Sequence, residues 1–333
     1  MSKNITIKDI AKEANVSIAT VSYCLNKTKN LKEETKIKIY NAIEKLGYNP
    51  NLAAKSLVTN KSKLIGFVIG NGSFEDNPFY SNLLAGMNSA IKEHYEYDLL
   101  IASNLAKENE DNFETSVTNW IKKRALDAVI FIGLNNEKII HNLNKLNVPI
   151  SLIDSGNYFL NNIYNIRIDD ELGGYLGTKH LINKGYKNIA FVSDGLIGQV
   201  TKLRYEGYKK ALKEAKLPIK SENLYKVQVS YEGGIEVSQN LMSRNDIDAI
   251  FTIADILAFG IMRAYLTNSY SFPKDIALIG FDNLNSNSYM TPNLTTIDQN
   301  VFMKGRMAVE AILNKSEKKE FIIPIKLIVG ETT

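Results

Sequence analysis

The side chains best placed to do chemistry stand where apolar runs end: Asn71, Asn104, Asp154, Asp194, Asp255 and Asp282, with Arg204 opening a charged helical stretch. In open α/β sheets the carboxyl ends of the strands border a crevice, and ligands bind there. A ring of Asp and Asn with one guanidinium can accept from and donate to the hydroxyls of a polyhydroxylated ligand in a partly apolar pocket. Each of these residues also suits an ordinary helix cap. Other chemistries find less support. Gly70-Asn71-Gly72 follows an apolar run, but Glu75 stands where a dinucleotide fingerprint needs its third glycine. Gly173, Gly174 and Gly177 fall inside a predicted helix, where they suit turns or close packing. His94, His141 and His180 lack partners at metal spacing, and the single Cys24 cannot build a disulfide framework or a Cys-based zinc site. No P-loop and no G-x-S-x-G elbow occur. The expectation is a binding protein without metal or cofactor, not an enzyme.

A second chemistry lies in the distribution of charge. The net +4 hides a split: residues 1–63 carry twelve lysines against five acids, a charge of +7, which leaves −3 for the other 270 residues. A basic head on a mildly acidic body suits contact with a polyanion. The spacing predicts three short helices in that head. Thr6 caps the first, which runs through Ala14 with Ile7, Ile10, Ala11 and Ala14 on one face. Asn15-Val16 makes a turn, and Ser17 caps a second helix, SIATVSYCLN. A third runs from about Lys32 to Leu46 with Ile37, Tyr40, Ile43 and Leu46 inward, and Gly47 stops it. Two short helices on a tight turn, followed by a supporting helix, make a helix-turn-helix. The second helix is sized for the DNA major groove.

The body must position the polar strand ends. Apolar strands are expected at LIGFVIG, DLLIASN, AVIFIGL, ISLID, NIAFVSD, AIFTIA and IALIGFD. Amphipathic helices fall between them around 80–94, 109–123, 136–145, 171–184, 202–215, 232–243 and 255–267. Such alternation implies parallel sheets covered on both faces, and this length implies two doubly wound lobes. With 44% hydrophobic and 23% charged residues the composition is that of a globular chain. The opening MSKNITIKDI has no apolar core behind its lysine, and no apolar run reaches a membrane span, so a cytoplasmic protein is expected.

These residues resemble the LacI/GalR family of bacterial transcription regulators over essentially the whole chain. The head TIKDIAKEANVSIATVSYCLN…EETKIKIYNAIEKLGYNPNLAAKSL carries the likeness most specifically. IGFVI…NPFYSNLLAGM, HLINKGYKNIAFVSD, LRYEGYKKAL and FPKDIALIGFDN…TPNLTTIDQN follow in the family's order. The resemblance implies an α/β chain with an N-terminal helix-turn-helix DNA-binding domain (1–50), a hinge helix (51–63), and a two-lobed, periplasmic-binding-protein-like body (64–333). The lobes would comprise about 64–166 with 298–323, and about 167–297 with 324–333. It implies that Thr6, Ser17, Thr20, Ser22 and Asn26 contact the DNA backbone, that Ile18, Ala19 and Tyr23 read base edges, and that Leu57 wedges into the minor groove. Many members have arginine where Tyr23 stands, so readout here leans on apolar contacts and one phenol.

For the effector, the resemblance implies that Asp154, Arg204 and Asp282 bond sugar hydroxyls; Asn71 and Asp255 are candidates from their places at strand ends. Asp255 follows Ala254, where many sugar-binding members have asparagine. The expected partners are double-stranded operator DNA, a small effector such as a sugar or sugar phosphate, and a second copy of the chain; no membrane is involved. The chain ends without leucine heptads, so a dimer is expected rather than a tetramer. The expected function is repression of a sugar-utilisation operon. The alternatives are a nucleobase- or nucleoside-responsive repressor of the same family and a sugar-binding protein without a DNA role.

Overall fold

A computed structural model describes residues 5–26, 29–48, 62–69, 77–93, 96–102 and 110–333. The chain divides into two units, Met1–Ser62 and Lys63–Thr333. In the first unit, α1 (Ile7–Glu13), α2 (Ile18–Asn26) and α3 (Glu33–Leu46) enclose a small core of Ile10, Ala11, Ala14, Val21, Cys24, Ile39 and Ala42. The caps act as the sequence requires. The Asp9 carboxylate accepts from the Thr6 backbone N–H at 2.8 Å and from its hydroxyl at 2.7 Å. Ser17 Oγ accepts from the Thr20 N–H at 3.1 Å. Gly47 ends α3 at φ 60°, the left-handed conformation that glycine adopts most easily. One expectation is corrected: Ile37 and Tyr40 are about half exposed, because α3 turns Ile39 and Ala42 inward instead.

The second unit contains two six-stranded sheets. Its elements are β1 (Leu64–Ile69), α4 (Pro78–Glu93), β2 (Asp98–Ala102), α5 (Glu110–Arg124), β3 (Ala128–Ile132), α6 (Glu137–Asn144), β4 (Ile150–Ile153) and β5 (Ile163–Arg167). They continue with α7 (Asp170–Asn183), β6 (Ile189–Ser193), α8 (Gln199–Glu214), β7 (Leu224–Lys226), α9 (Tyr231–Met242), β8 (Ala249–Thr252) and α10 (Asp255–Thr267). The last are β9 (Ala277–Asp282), β10 (Thr295–Asp298), α11 (Val301–Leu313), β11 (Glu320–Ile322) and β12 (Lys326–Ile328). The first sheet has the order β11-β5-β4-β3-β1-β2 and is parallel throughout. The second has the order β12-β10-β9-β8-β6-β7, parallel except where β12 pairs with β10. The chain crosses between the sheets after β5, after β10 and after β11. Helix α11 returns to the first lobe, where Ser151 of β4 donates to the Ala308 carbonyl at 2.8 Å.

The strands read from the sequence form, while β5, β7, β10, β11, β12 and helix α11 add to them. Continuous apolar runs such as Ile189–Ser193 and Ala128–Ile132 are buried at every residue, as a parallel sheet covered by helices demands. Three helix pairs approach closely through glycine: α7 with α8, α4 with α11, and α9 with α10. A Cβ on Gly174 would lie 1.9 Å from the Arg204 carbonyl oxygen. Gly174→Ala is therefore expected to force α7 and α8 apart at a cost of about 1–3 kcal/mol, visible as a lower urea midpoint. An unchanged midpoint would mean that the pair accommodates a methyl group.

Candidate functional site

The head presents one face of α2. Val21 and Cys24 turn into the core, leaving Ser17, Ile18 and Ala19 exposed with Ser22 and Tyr23 half-buried beside them. The helical period alone produces this division, since 18, 19, 22 and 23 lie opposite 21 and 24. Ile18 keeps 46% of its surface exposed, a large apolar side chain left open on a short helix. Lys29 sits 4.7 Å from the Tyr23 ring centroid, so a cation stands over the phenol. Ser17 and Thr20 also bond each other at 2.8 Å, which fixes both hydroxyls at the start of α2. Asn26 closes the helix. Leu57 and most of the expected hinge lie outside the described residues, as do Asn71, Asn104 and His94.

In the body, the two sheets aim their strand ends at one another through a buried polar network. Asp154 follows β4 at φ 49°, and Asp282 ends β9 at φ 123°. The first lies by the left-handed region that Asp tolerates, while the second does not suit a side chain with a Cβ, and such strain persists where the surroundings over-determine it. Lys304, on α11 and fully buried, donates to both Asp154 oxygens at 2.6 and 2.8 Å. The same ammonium donates to Gln299 Oε1, and Gln299 Nε2 donates to Asp282 Oδ1. Tyr80 of α4 stands close by, and burial pushes its phenol up to about 12, with the Asp154 and Asp282 charges adding to the shift.

Arg204 is buried in the second turn of α8, because that helix begins at Gln199 rather than near 202. Its Nε donates to Asp170 Oδ1 at 2.9 Å and its Nη1 to the Ile253 carbonyl at 2.6 Å. The guanidinium carbon lies 3.6 Å from the Phe281 ring centroid, a stacked cation on an aromatic face. Two of its five N–H donors are thus engaged by the protein. Asp170, in the first turn of α7, is raised by burial despite the opposing pull of Arg204.

Asp255 requires a correction. Expected at the crevice, it is instead fully interior, accepting from the Leu284 N–H at 2.9 Å and from Thr296 Oγ1 at 2.6 Å. Its carboxylate fixes the loop that follows β9, so it orders the neighbourhood of Asp282. Asp194 is likewise engaged by its own loop, accepting from the Leu196 N–H at 2.9 Å. Sequence reasoning missed Tyr80, Asp170, Gln299 and Lys304. Lys304 gave little signal, since Arg306 and Glu310 share its helix VFMKGRMAVEAIL; Asp170 was hidden behind its neighbour Asp169, which caps α7.

Burial pushes Asp282 up to about 7 from 3.8, with Arg204 pulling the other way. The folded chain then keeps a proton that the unfolded chain releases above about pH 4, so this group's contribution falls as pH rises towards 7. Asp282→Asn, which mimics the protonated form, is expected to gain on the wild type by a few kcal/mol between pH 5 and pH 8, at about 1.4 kcal/mol for each pH step below 7. Urea unfolding of both proteins across that range measures the difference; parallel curves would remove Asp282 as its source.

Among the described residues, no group of three His, Cys, Asp or Glu side chains could hold a metal, and no helix is long and apolar enough to cross a membrane. The family described as "Bacterial regulatory proteins, lacI family" matches residues 6–51. "Periplasmic binding proteins and sugar binding domain of LacI family" matches residues 62–331. The chain is 34% identical to the HTH-type transcriptional repressor PurR of Actinobacillus pleuropneumoniae serotype 3 (strain JL03), over 92% of this chain and 89% of that protein. It is 33% identical to catabolite control protein A of Priestia megaterium, over 96% and 94%. The lac repressor dimer bound to operator and the anti-inducer ONPF shares its fold, with a TM-score of 0.85 at 24% identity over 99% of both chains. A helix-turn-helix head, a body of two doubly wound sheets and these matches together place the chain in the LacI family, as a DNA-binding transcriptional repressor and not an enzyme.

Proposed function

We propose that this chain is a cytoplasmic homodimer that represses a sugar-utilisation operon and answers to a small carbohydrate bound between the lobes of its body. The observation that carries the ligand reading is the convergence of Asp154 from one sheet and Asp282 from the other on one buried network. A ligand with several hydroxyls can donate to carboxylates from both lobes at once, so its binding depends on how the lobes stand. That differential contact is what a population-shifting switch requires. On the DNA side, the exposed face of α2 and the +7 head support operator binding in the major groove, one half-site per subunit.

The test is a thermal-shift screen with neutral sugars, sugar phosphates, nucleobases and nucleosides, since a ligand that prefers the native state raises the melting temperature. Only sugars or sugar phosphates should stabilise the wild type. Calorimetry on Asp154→Asn and Asp282→Asn should then show binding weakened at least tenfold. A nucleobase or nucleoside as the stabilising ligand would replace the carbohydrate reading, and variants binding within twofold of wild type would remove these acids from the site.

A further inference from the structure

We propose that Lys304 and Gln299 form a latch that joins the two lobes through protein atoms alone. The chain of contacts begins in the first lobe, where Asp154 receives both of its bonds from the Lys304 ammonium. Gln299 lies in the crossing between β10 and α11. Its carbonyl accepts from Lys304 and its amide N–H donates to Asp282 of the second lobe. Each end of the relay is a carboxylate on a residue held at positive φ.

Lys304 is 0% exposed and Gln299 is 1% exposed, so water does not compete for these bonds. A buried ammonium is costly to keep, and an apolar side chain would pack there without that cost. Its presence is explained by the bonds it makes towards both lobes. Separating the lobes would take Gln299 from Asp282 or from Lys304 and leave a buried polar group without its partner. An Asn285–Asn82 bond at 3.0 Å also joins the lobes, but it is exposed and water can replace it. A ligand would accordingly act by competing for Asp154 and Asp282, not by supplying the only bridge between the lobes.

The test uses nitroxide labels at Lys145→Cys and Lys213→Cys, one on each lobe, in a full-length Cys24→Ser background. The doubly labelled chain is diluted into unlabelled chain so that intermolecular distances vanish, and no ligand is added. The labelled background is expected to give one narrow inter-lobe distance. Lys304→Met and Gln299→Leu should move that distance outward by more than its original width. A variant that melts at a lower temperature with its inter-lobe distance unmoved would show a merely structural role and overturn the latch. Should Lys304→Met fail to fold, Asp154→Asn combined with Lys304→Met removes both charges together. That pair should also lengthen the distance, and an unmoved distance there overturns the proposal equally.

Discussion

Arg204→Ala is expected to destabilise the body by about 3–5 kcal/mol, because removing one partner of a buried ion pair strands the other. The stranded group is Asp170, which is 4% exposed and held 2.9 Å from the guanidinium. The Ile253 carbonyl loses its donor at the same time, and the Phe281 face loses the cation that covers it. A surface pair such as Lys38–Glu34 offers a contrast: both side chains are more than half exposed, and its loss should cost under about 1 kcal/mol. Urea unfolding of the three proteins measures the comparison. Combining Arg204→Met with Asp170→Leu removes the charges together, and much of the lost stability should return. Equal losses for Arg204→Ala and the surface variant would mean that Arg204 is not structural, and its expected place in the effector site would then stand on ligand contacts alone.

This dual engagement explains why parts of the site were legible in the sequence and others were not. Strand ends mark a crevice because apolar runs must stop where a parallel sheet meets solvent, and Asp154 and Asp282 do stand at two such ends. The partners of those acids come from elsewhere in the chain. Lys304 lies 150 residues beyond Asp154, on a helix whose polar residues look like an ordinary solvent face until α11 packs beneath β4. Asp255 looked equivalent to Asp282 because periodicity places both after apolar strands. Both are buried, and only the loop after β9, folding back to bond Asp255, sets the two apart. The missed strands share a cause. β10 reads TTID and β5 reads IYNIR, with too few consecutive apolar residues to signal a buried strand. Their burial is imposed by neighbours, β10 between β9 and β12 and β5 between β4 and β11. In the head, pattern and structure agree better, since three short helices around one small core leave few alternatives. Ile37 and Tyr40 depart from the pattern because so small a core cannot cover every apolar residue of a fourteen-residue helix.

The head should show two separable kinds of DNA contact. Raising salt from 50 to 200 mM is expected to weaken operator binding by roughly 10³-fold or more, if the two heads of a dimer together reach six to ten phosphates. That loss belongs to the lysines, whose charges neutralise phosphates, and it carries no sequence information. Tyr23 should behave differently. Its ring is half-buried on the face of α2 opposite Val21 and Cys24, so removing it leaves the core of the head intact. Tyr23→Ala is expected to cost about 1–3 kcal/mol of operator affinity, roughly 5- to 150-fold. The slope of log affinity against log salt should barely move, because no phosphate contact is lost with the ring. Lys29→Ala should do the reverse, flattening the slope by removing a cation while weakening operator and random DNA alike. The Lys29 ammonium over the Tyr23 ring makes this contrast demanding. If Tyr23 served only to hold Lys29 near a phosphate, both variants would flatten the slope equally and spare the preference for operator over random DNA. Titrations of each variant against operator and scrambled duplexes at several salt concentrations distinguish the two outcomes, and a Tyr23 variant that keeps full discrimination would remove the phenol from base readout.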